Sequence, residues 1–265
     1  MASEFDLVAV SVGNTRTRLG VFRGAVLEES EAVANAEPGA LAGAASAMLA
    51  KAGEGTPVLV ASVNDPVADG LVAALRGSGA ASEVHRFGRE LEVPITTALR
   101  AGAEKTVGQD RLLNALGAYA RANQACVVID AGTAITVDFV DGEGTFQGGA
   151  IAPGLNTMLA ALHEHTAALP SLRFESPREL ATGAEPFGKD TREAMLIGVR
   201  AAARGCAREL VERYAEFFGA YPQVVATGGD ARTLFEGDDV VEHIVPDLTL
   251  LGMQAAWAIA AGAGE

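Results

Sequence analysis

The sequence predicts an α/β fold laid out as two similar halves, and three observations carry that prediction. Residues 8–22 (VAVSVGNTRTRLGVF) are echoed by residues 127–140 (VVIDAGTAITVDFV), each copy setting a glycine turn between two apolar runs. Short apolar runs of strand length alternate along the chain with segments whose apolar residues recur at helical spacing. At 265 residues, with 49% hydrophobic and 20% charged side chains, the chain is long and apolar enough for two ordinary domains.

The first half opens with strands at 6–11 and 17–22 on either side of its turn, followed by a third at 26–33. Residues 38–53 place Leu41, Ala45, Met48 and Leu49 on one helical face, and Gly53 and Gly55 stop that helix. The apolar run 57–63 reads as an interior strand, 66–77 as a helix opened by Pro66, and 84–87 as a short strand. After Pro94, residues 106–122 put Val107, Leu112, Leu113, Leu116 and Tyr119 on one face. This helix is the expected link between halves, giving domains at 1–118 and 119–265. The second half repeats the scheme with strands at 125–130 and 134–140, a bend at Gly142 and Gly144, and a third strand at 145–151. Pro153-Gly154 leads into a helix at 156–169, and a long helix at 191–218 starts where Asp190 or Thr191 can cap its exposed N–H groups. A strand at 223–227, the pair Gly228-Gly229 and a helix at 250–261 close the chain.

A formal charge of −14 excludes a general nucleic-acid or anionic-membrane binder, since both need a basic footprint. A polyanionic ligand would need a local site of backbone N–H groups, a few Arg or Lys side chains, and metal ions. No apolar stretch approaches the roughly 20 residues of a membrane span. Glu4 and Asp6 precede the first apolar run without a basic region, so no secretory leader is expected. Cys126 and Cys206 read as packing residues in a reducing, cytoplasmic setting. His85, His163, His165 and His243 are dispersed and complete no zinc pattern.

The glycine turns carry the chemistry. In each half a strand ends in a polar residue, one spacer and a glycine, Ser11-Val12-Gly13 and Asp130-Ala131-Gly132, with Asn14-Thr15 and Thr133-Ala134 following. Glycine lets the backbone approach a ligand closely, and its N–H groups with neighbouring hydroxyls donate to phosphate oxygens. Only the second half has a carboxylate, Asp130, where the first has Ser11. Asp130 reads either as an Asx-turn residue or as a cation ligand. Asp110 follows Gly108 at a helix start, and by spacing alone reads as a complement to the helix dipole. Arg111 is either a solvated charge or a fork for a carboxylate or phosphoryl group. Thr191 reads as a helix cap, and Gly228-Gly229 as a plain strand-to-helix turn.

Seven separated motifs add a resemblance. SVGNTRTR (11–18), GQDR (108–111) with Asn114, DAGT (130–133), GGAIAPG (148–154), GKDTREAM (188–195), ATGG (226–229) and PDLTLLG (246–252) occur in the order and spacing of type III pantothenate kinases, which the chain resembles over nearly its whole length. The resemblance implies an acetate-and-sugar-kinase/Hsp70/actin fold with two ribonuclease-H-like domains. It also implies a cytoplasmic homodimer that transfers the ATP γ-phosphoryl group to the pantothenate hydroxyl, the first step of coenzyme A synthesis. By the same resemblance Asp110 is the catalytic base, Gly108, Gln109 and Arg111 complete the substrate pocket, and Thr191 reaches pantothenate from the partner subunit. Ser11, Gly13, Asn14, Thr15, Arg18, Thr133, Gly228 and Gly229 fall at the ATP, with magnesium on its phosphates and Asp130 holding potassium or ammonium. Three positions depart from the family pattern. Ser11 replaces an aspartate that holds magnesium, Ala101 replaces a tyrosine of the pantothenate pocket, and Arg18 stands where lysine is common. Two other readings stay open beside the kinase. One is a catalytically impaired relative that binds nucleotide or a pantothenate-like ligand in a regulatory or accessory role, and the other is a kinase of the same superfamily with a different hydroxyl acceptor.

Overall fold

The computed structural model describes residues 6–77, 83–176 and 186–262. Its first sheet comprises β1 (Leu7–Val12), β2 (Arg16–Arg23), β3 (Val26–Ala34), β4 (Val58–Ser62) and β5 (Val84–Arg86), in the order β3-β2-β1-β4-β5. β1 runs antiparallel to β2 and parallel to β4, and β4 runs parallel to β5. Parallel neighbours cannot be joined by a hairpin, and α1 (Pro38–Ala52) and α2 (Asp65–Gly77) supply the crossovers into β4 and β5. The second sheet comprises β6 (Cys126–Ala131), β7 (Ala134–Val140), β8 (Phe146–Pro153), β9 (Gln223–Thr227) and β10 (His243–Ile244), in the order β10-β9-β6-β7-β8. Read from its β8 edge, this is the order of the first sheet, with β6 antiparallel to β7 and parallel to β9. The sequence repeat is thus a repeat of topology. The remaining helices are α3 (Gln109–Ala122), α4 (Leu155–Glu164), α5 (Thr191–Phe218), α6 (Ala231–Phe235) and α7 (Leu248–Ala260).

The first sheet is covered on both faces. Val8, Val10 and Val12 meet Leu41 and Met48 of α1 and Leu71 of α2. Leu7 and Ala9, on the other face, meet Leu113 of α3 and Leu250 and Met253 of α7. Two covered faces explain why β1 and β4 read as continuous apolar runs without alternation. In the second sheet Val127, Ile129 and Ala131 share a core with Leu155 and Leu159 of α4 and with Leu196 and Val199 of α5.

The chain groups into two units that are not contiguous in sequence. The first extends to Asn123 and also takes in Gly142–Gln147 and the chain from Asp247 onward, and the second holds Gln124–Asp141 and Gly148–Pro246. This grouping differs from a single division at residue 118, because α7 packs on α3 through backbone. A Cβ on Gly252 would lie 1.9 Å from the Leu113 carbonyl oxygen, and one on Gly117 would lie 2.8 Å from the Gly252 nitrogen. Beside that contact the Thr249 hydroxyl donates to Asn114 Oδ1 at 2.7 Å. The β7–β8 hairpin tip joins the same unit. Phe146 is fully buried, its N–H donates to the Thr96 carbonyl, and its own carbonyl accepts from Ala98.

Several boundaries differ from expectation. The helix expected at 106–122 begins at Gln109, with Ala103–Lys105 forming a separate 3-10 turn, and the helix expected at 156–169 stops at Glu164. α6 and β10 were not foreseen, since five and two residues are too short for a periodic signal.

Gly252→Ala should therefore destabilise the protein by roughly 1–3 kcal/mol, the usual cost of overpacking a filled interior. Gly43→Ala, inside α1 where a methyl meets nothing within 4 Å, should instead stabilise by roughly 0.5–1 kcal/mol. Urea denaturation of both variants, read at the midpoint, checks the pair.

Candidate active site

In the first unit the β1–β2 turn is tied down by amides. Asn35 Nδ2 donates to the carbonyls of Gly13 (2.8 Å) and Asn14 (3.1 Å), and Asn64 Nδ2 donates to Asn14 at 3.3 Å. Thr17 Oγ1 orients Asn35 by donating to its Oδ1 at 2.8 Å. The turn is thus fixed from behind while Asn14 and Thr15 stay exposed. Ser11 and Arg18 are ladder partners and so share a sheet face, the one that α3 and α7 cover. Arg18 Nη1 is 2.5 Å from Asp247 Oδ1, so the cation assigned to phosphate has a carboxylate partner at the start of α7. That pairing was invisible in the sequence, where 229 positions separate the two.

Asp110 lies in the first turn of α3, after the N-cap Gly108. Its Oδ1 accepts from the Arg111 backbone N–H at 2.8 Å, and a Cβ on Gly108 would come within 2.5 Å of that oxygen. With glycine at 108 the carboxylate folds back over the helix start, and a side chain there would have to displace it. Burial pushes the Asp110 carboxyl above the usual range, outweighing the lowering by the Arg111 N–H bond and the Arg111 charge. An exposed carboxylate that merely complements a helix dipole would shift the other way. The Arg111 guanidinium sits 5.7 Å over the Phe146 ring. Gln109 packs against Gly88, where a Cβ would lie 3.2 Å from the Gln109 Cδ.

In the second unit Asp130 occupies the ladder position matching Ser11, paired with Thr136 and Thr227. Its Oδ1 lies against Gly228, where a Cβ would be 2.4 Å away, and Gly228 also adopts a φ of 92°. Two demands for glycine therefore coincide at 228. Thr133 and Gly132 rest on the start of α4. The Thr133 carbonyl accepts from Gly154 N (3.0 Å) and Thr157 Oγ1 (2.7 Å), and a Cβ on Gly154 would overlap the Gly132 carbonyl oxygen at 1.9 Å. The last glycine of GGAIAPG is thereby a packing requirement of the turn. Asp230 was overlooked in the sequence. Its N–H donates to the Ala131 carbonyl at 2.9 Å, and burial pushes its carboxyl up, the signal being a carboxylate directly after a glycine pair at a strand end.

The helix cap is resolved in favour of Asp190, whose Oδ1 accepts from Glu193 N at 2.8 Å while Glu193 Oε2 accepts from Lys189 N at 3.0 Å. Thr191 is left exposed at the first helical position. Among the described residues no group of three His, Cys, Asp or Glu side chains could hold a metal ion. Asp130 is a hard oxygen donor of the type that cations take.

Two α/β units of one topology, each with a glycine turn after its first strand, define the fold of the acetate-and-sugar-kinase/Hsp70/actin proteins. Solved structures agree on this fold. The activator of the 2-hydroxyisocaproyl-CoA dehydratase from Clostridium difficile, solved with bound ADPNP, matches with a TM-score of 0.54 at 15% identity, covering 97% of this chain and 95% of that one. Component A of the Acidaminococcus fermentans (R)-2-hydroxyglutaryl-CoA dehydratase matches at 0.51 and 16%, covering 97% and 98%. The pattern described as type III pantothenate kinase matches residues 7–213, and the chain belongs to that family. The type III pantothenate kinase of Dehalococcoides mccartyi strain CBDB1 is 32% identical over 96% of this chain and 95% of its own length. Those of Akkermansia muciniphila and Rhodospirillum rubrum are 40% and 44% identical, but the chain spans only 60% and 55% of their lengths.

Asp190→Ala should cost about 1 kcal/mol, the usual loss for an N-cap. Thr191→Ala should stay within about 0.5 kcal/mol of the unaltered protein, as exposed substitutions do. Chemical denaturation of the two variants separates the cap from its neighbour.

Proposed function

We propose that this protein phosphorylates pantothenate at the expense of ATP, yielding 4′-phosphopantothenate for coenzyme A synthesis. The observation that carries the reading is Asp110, a half-buried carboxylate of raised pKa folded over a glycine helix start, within the matched family region. In this reaction the pantothenate hydroxyl oxygen forms a bond to the γ-phosphorus, the bond to the bridging β,γ-oxygen breaks, and ADP leaves. Asp110 takes the hydroxyl proton. A raised pKa brings the base nearer to working pH, which improves proton transfer. Arg111 offers a fork to the pantothenate carboxylate, with Gly108 and Gln109 shaping the pocket wall. Gly13, Asn14, Thr15 and Thr133 present N–H and hydroxyl donors to phosphate oxygens, and Gly228-Gly229 leave room for the adenosine.

Magnesium on the ATP phosphates supplies charge neutralisation when bound. Ser11 adds no charge to it, which leaves Asp130 as the strand-end carboxylate available to a cation, and we assign that carboxylate to potassium or ammonium. Thr191, exposed and relieved of capping, suits a contact made by a second copy of the chain, so the working form is a homodimer. A reducing, cytoplasmic location accords with two unpaired cysteines, Cys126 being buried. No described helix is long and apolar enough to cross a membrane.

An ATP-consumption assay with and without pantothenate tests the reading, and no pantothenate-dependent turnover would defeat it. Asp110→Asn should lower turnover by roughly 100-fold or more, the scale of a lost general base. Below its raised pKa Asp110 is protonated and cannot accept the substrate proton. The acid limb of kcat/KM should therefore lie above the usual aspartate range and vanish in Asp110→Asn, as a pH–rate series would show. Replacing potassium with sodium should abolish most activity, and equal rates in the two salts would remove Asp130 from the cation role.

A further inference from the structure

Arg86, the last residue of β5, is only 4% exposed. Its guanidinium reaches across to α2, where Nη2 donates to Asp65 Oδ1 at 2.7 Å and Nη1 donates to Asp69. Arg89 backs the same carboxylates at 3.6 and 3.3 Å. Arg86 Nε has no hydrogen-bond partner, and the side chain borders a cavity of about 180 Å³ shared with Arg76, Arg89 and Glu90. An apolar side chain often stabilises the site of a buried ion pair as well or better. Stability alone does not account for an arginine here.

What the arginine holds is adjacent to the chemistry. Asp65 is the first residue of α2, and Asn64 before it accepts the first helical N–H, from Ala68, while its side chain donates to Asn14 of the phosphate turn. Val63 N–H donates to Val12, and its side chain stands beside Gly108, 3.5 Å from where a Cβ there would be. On the other side, Glu90 accepts from the Arg86 N–H at 2.9 Å, fixing the turn after β5, and Gly88 of that turn abuts Gln109. Arg86 thus fastens two segments, one touching the phosphate turn and both touching the Gly108–Asp110 stretch, all within the first unit.

We propose that Arg86 is a positioning residue for phosphoryl transfer, its clamp on Asp65 and Asp69 fixing the separation between the phosphate turn at Asn14 and the carboxylate of Asp110. The proposal rests on the kinase reading above. In-line transfer tolerates little misplacement, a shift of about 1 Å costing on the order of 100-fold in rate.

Two full-length variants test it. Arg86→Met removes the buried charge without stranding another, since Asp65 and Asp69 are 63% and 54% exposed and remain hydrated. Arg86→Lys keeps the charge and loses the two-armed reach. At a temperature where circular dichroism shows both variants folded, kcat should fall about tenfold or more in each, with KM for pantothenate within about twofold of the unaltered protein. Unchanged kcat with a lowered melting temperature overturns the proposal and leaves Arg86 a fold-stabilising residue. Amide hydrogen exchange supplies a readout independent of turnover. Residues 12–15 and 108–111 should exchange faster in Arg86→Met while 126–140 do not change, and unaltered exchange at both segments also overturns the clamp. If exchange responds but the unaltered protein shows no pantothenate-dependent turnover, the kinase reading fails and the clamp stands.

Discussion

Four glycines at which other atoms take the place of a side chain fix where two of the candidate carboxylates, one glycine turn and the last helix sit. Gly108 yields its space to the Asp110 carboxylate, Gly228 to that of Asp130, Gly154 to the Gly132 carbonyl, and Gly252 to the Leu113 carbonyl. Two of these contacts place a carboxylate and two place a turn or a helix. The constraint is repulsive. Interiors are close-packed and tolerate almost no added volume, so a single methyl at any of these positions must move backbone or a carboxylate. The attractive contacts, such as the amides of Asn35 and Asn64 on the β1–β2 turn, then hold what the absent side chains have allowed.

The duplication shows how one topology has been charged in two ways. Ser11 and Asp130 hold the same position in their ladders, yet Ser11 faces Arg18, which is paired with Asp247, whereas Asp130 faces Thr136 and Thr227. In the first unit the fixed charge nearest the strand end is a cation with a partner from α7. In the second it is an anion among hydroxyls.

Much of the fold was legible because its signals are local. Strand-length apolar runs and helix periodicity placed β1 to β9 and the long helices to within a few residues, and the echo of 8–22 in 127–140 matched a shared strand order. Glycine turns and the carboxylates beside them marked the candidate site. The overlooked features depend on distant partners or on very short stretches. Arg18 with Asp247, Arg86 with Asp65 and Asp69, and the backbone contact of Gly252 on Leu113 join residues that no spacing rule connects. Asp190 took the cap from Thr191 because Glu193 could return a bond to Lys189, a reciprocity that composition does not reveal.

The placement of α7 bears on how the chain matures during synthesis. Leu113 and Leu116 of α3 share a core with Leu250 and Met253, which belong to the last helix of the chain. The unit begun first is therefore not finished until α7 has been made, and a nascent chain carries an apolar face on α3 without that cover until residues 248–260 have emerged from the ribosome. Synthesis proceeds at about 5–20 residues per second, which gives that face an exposure of several seconds.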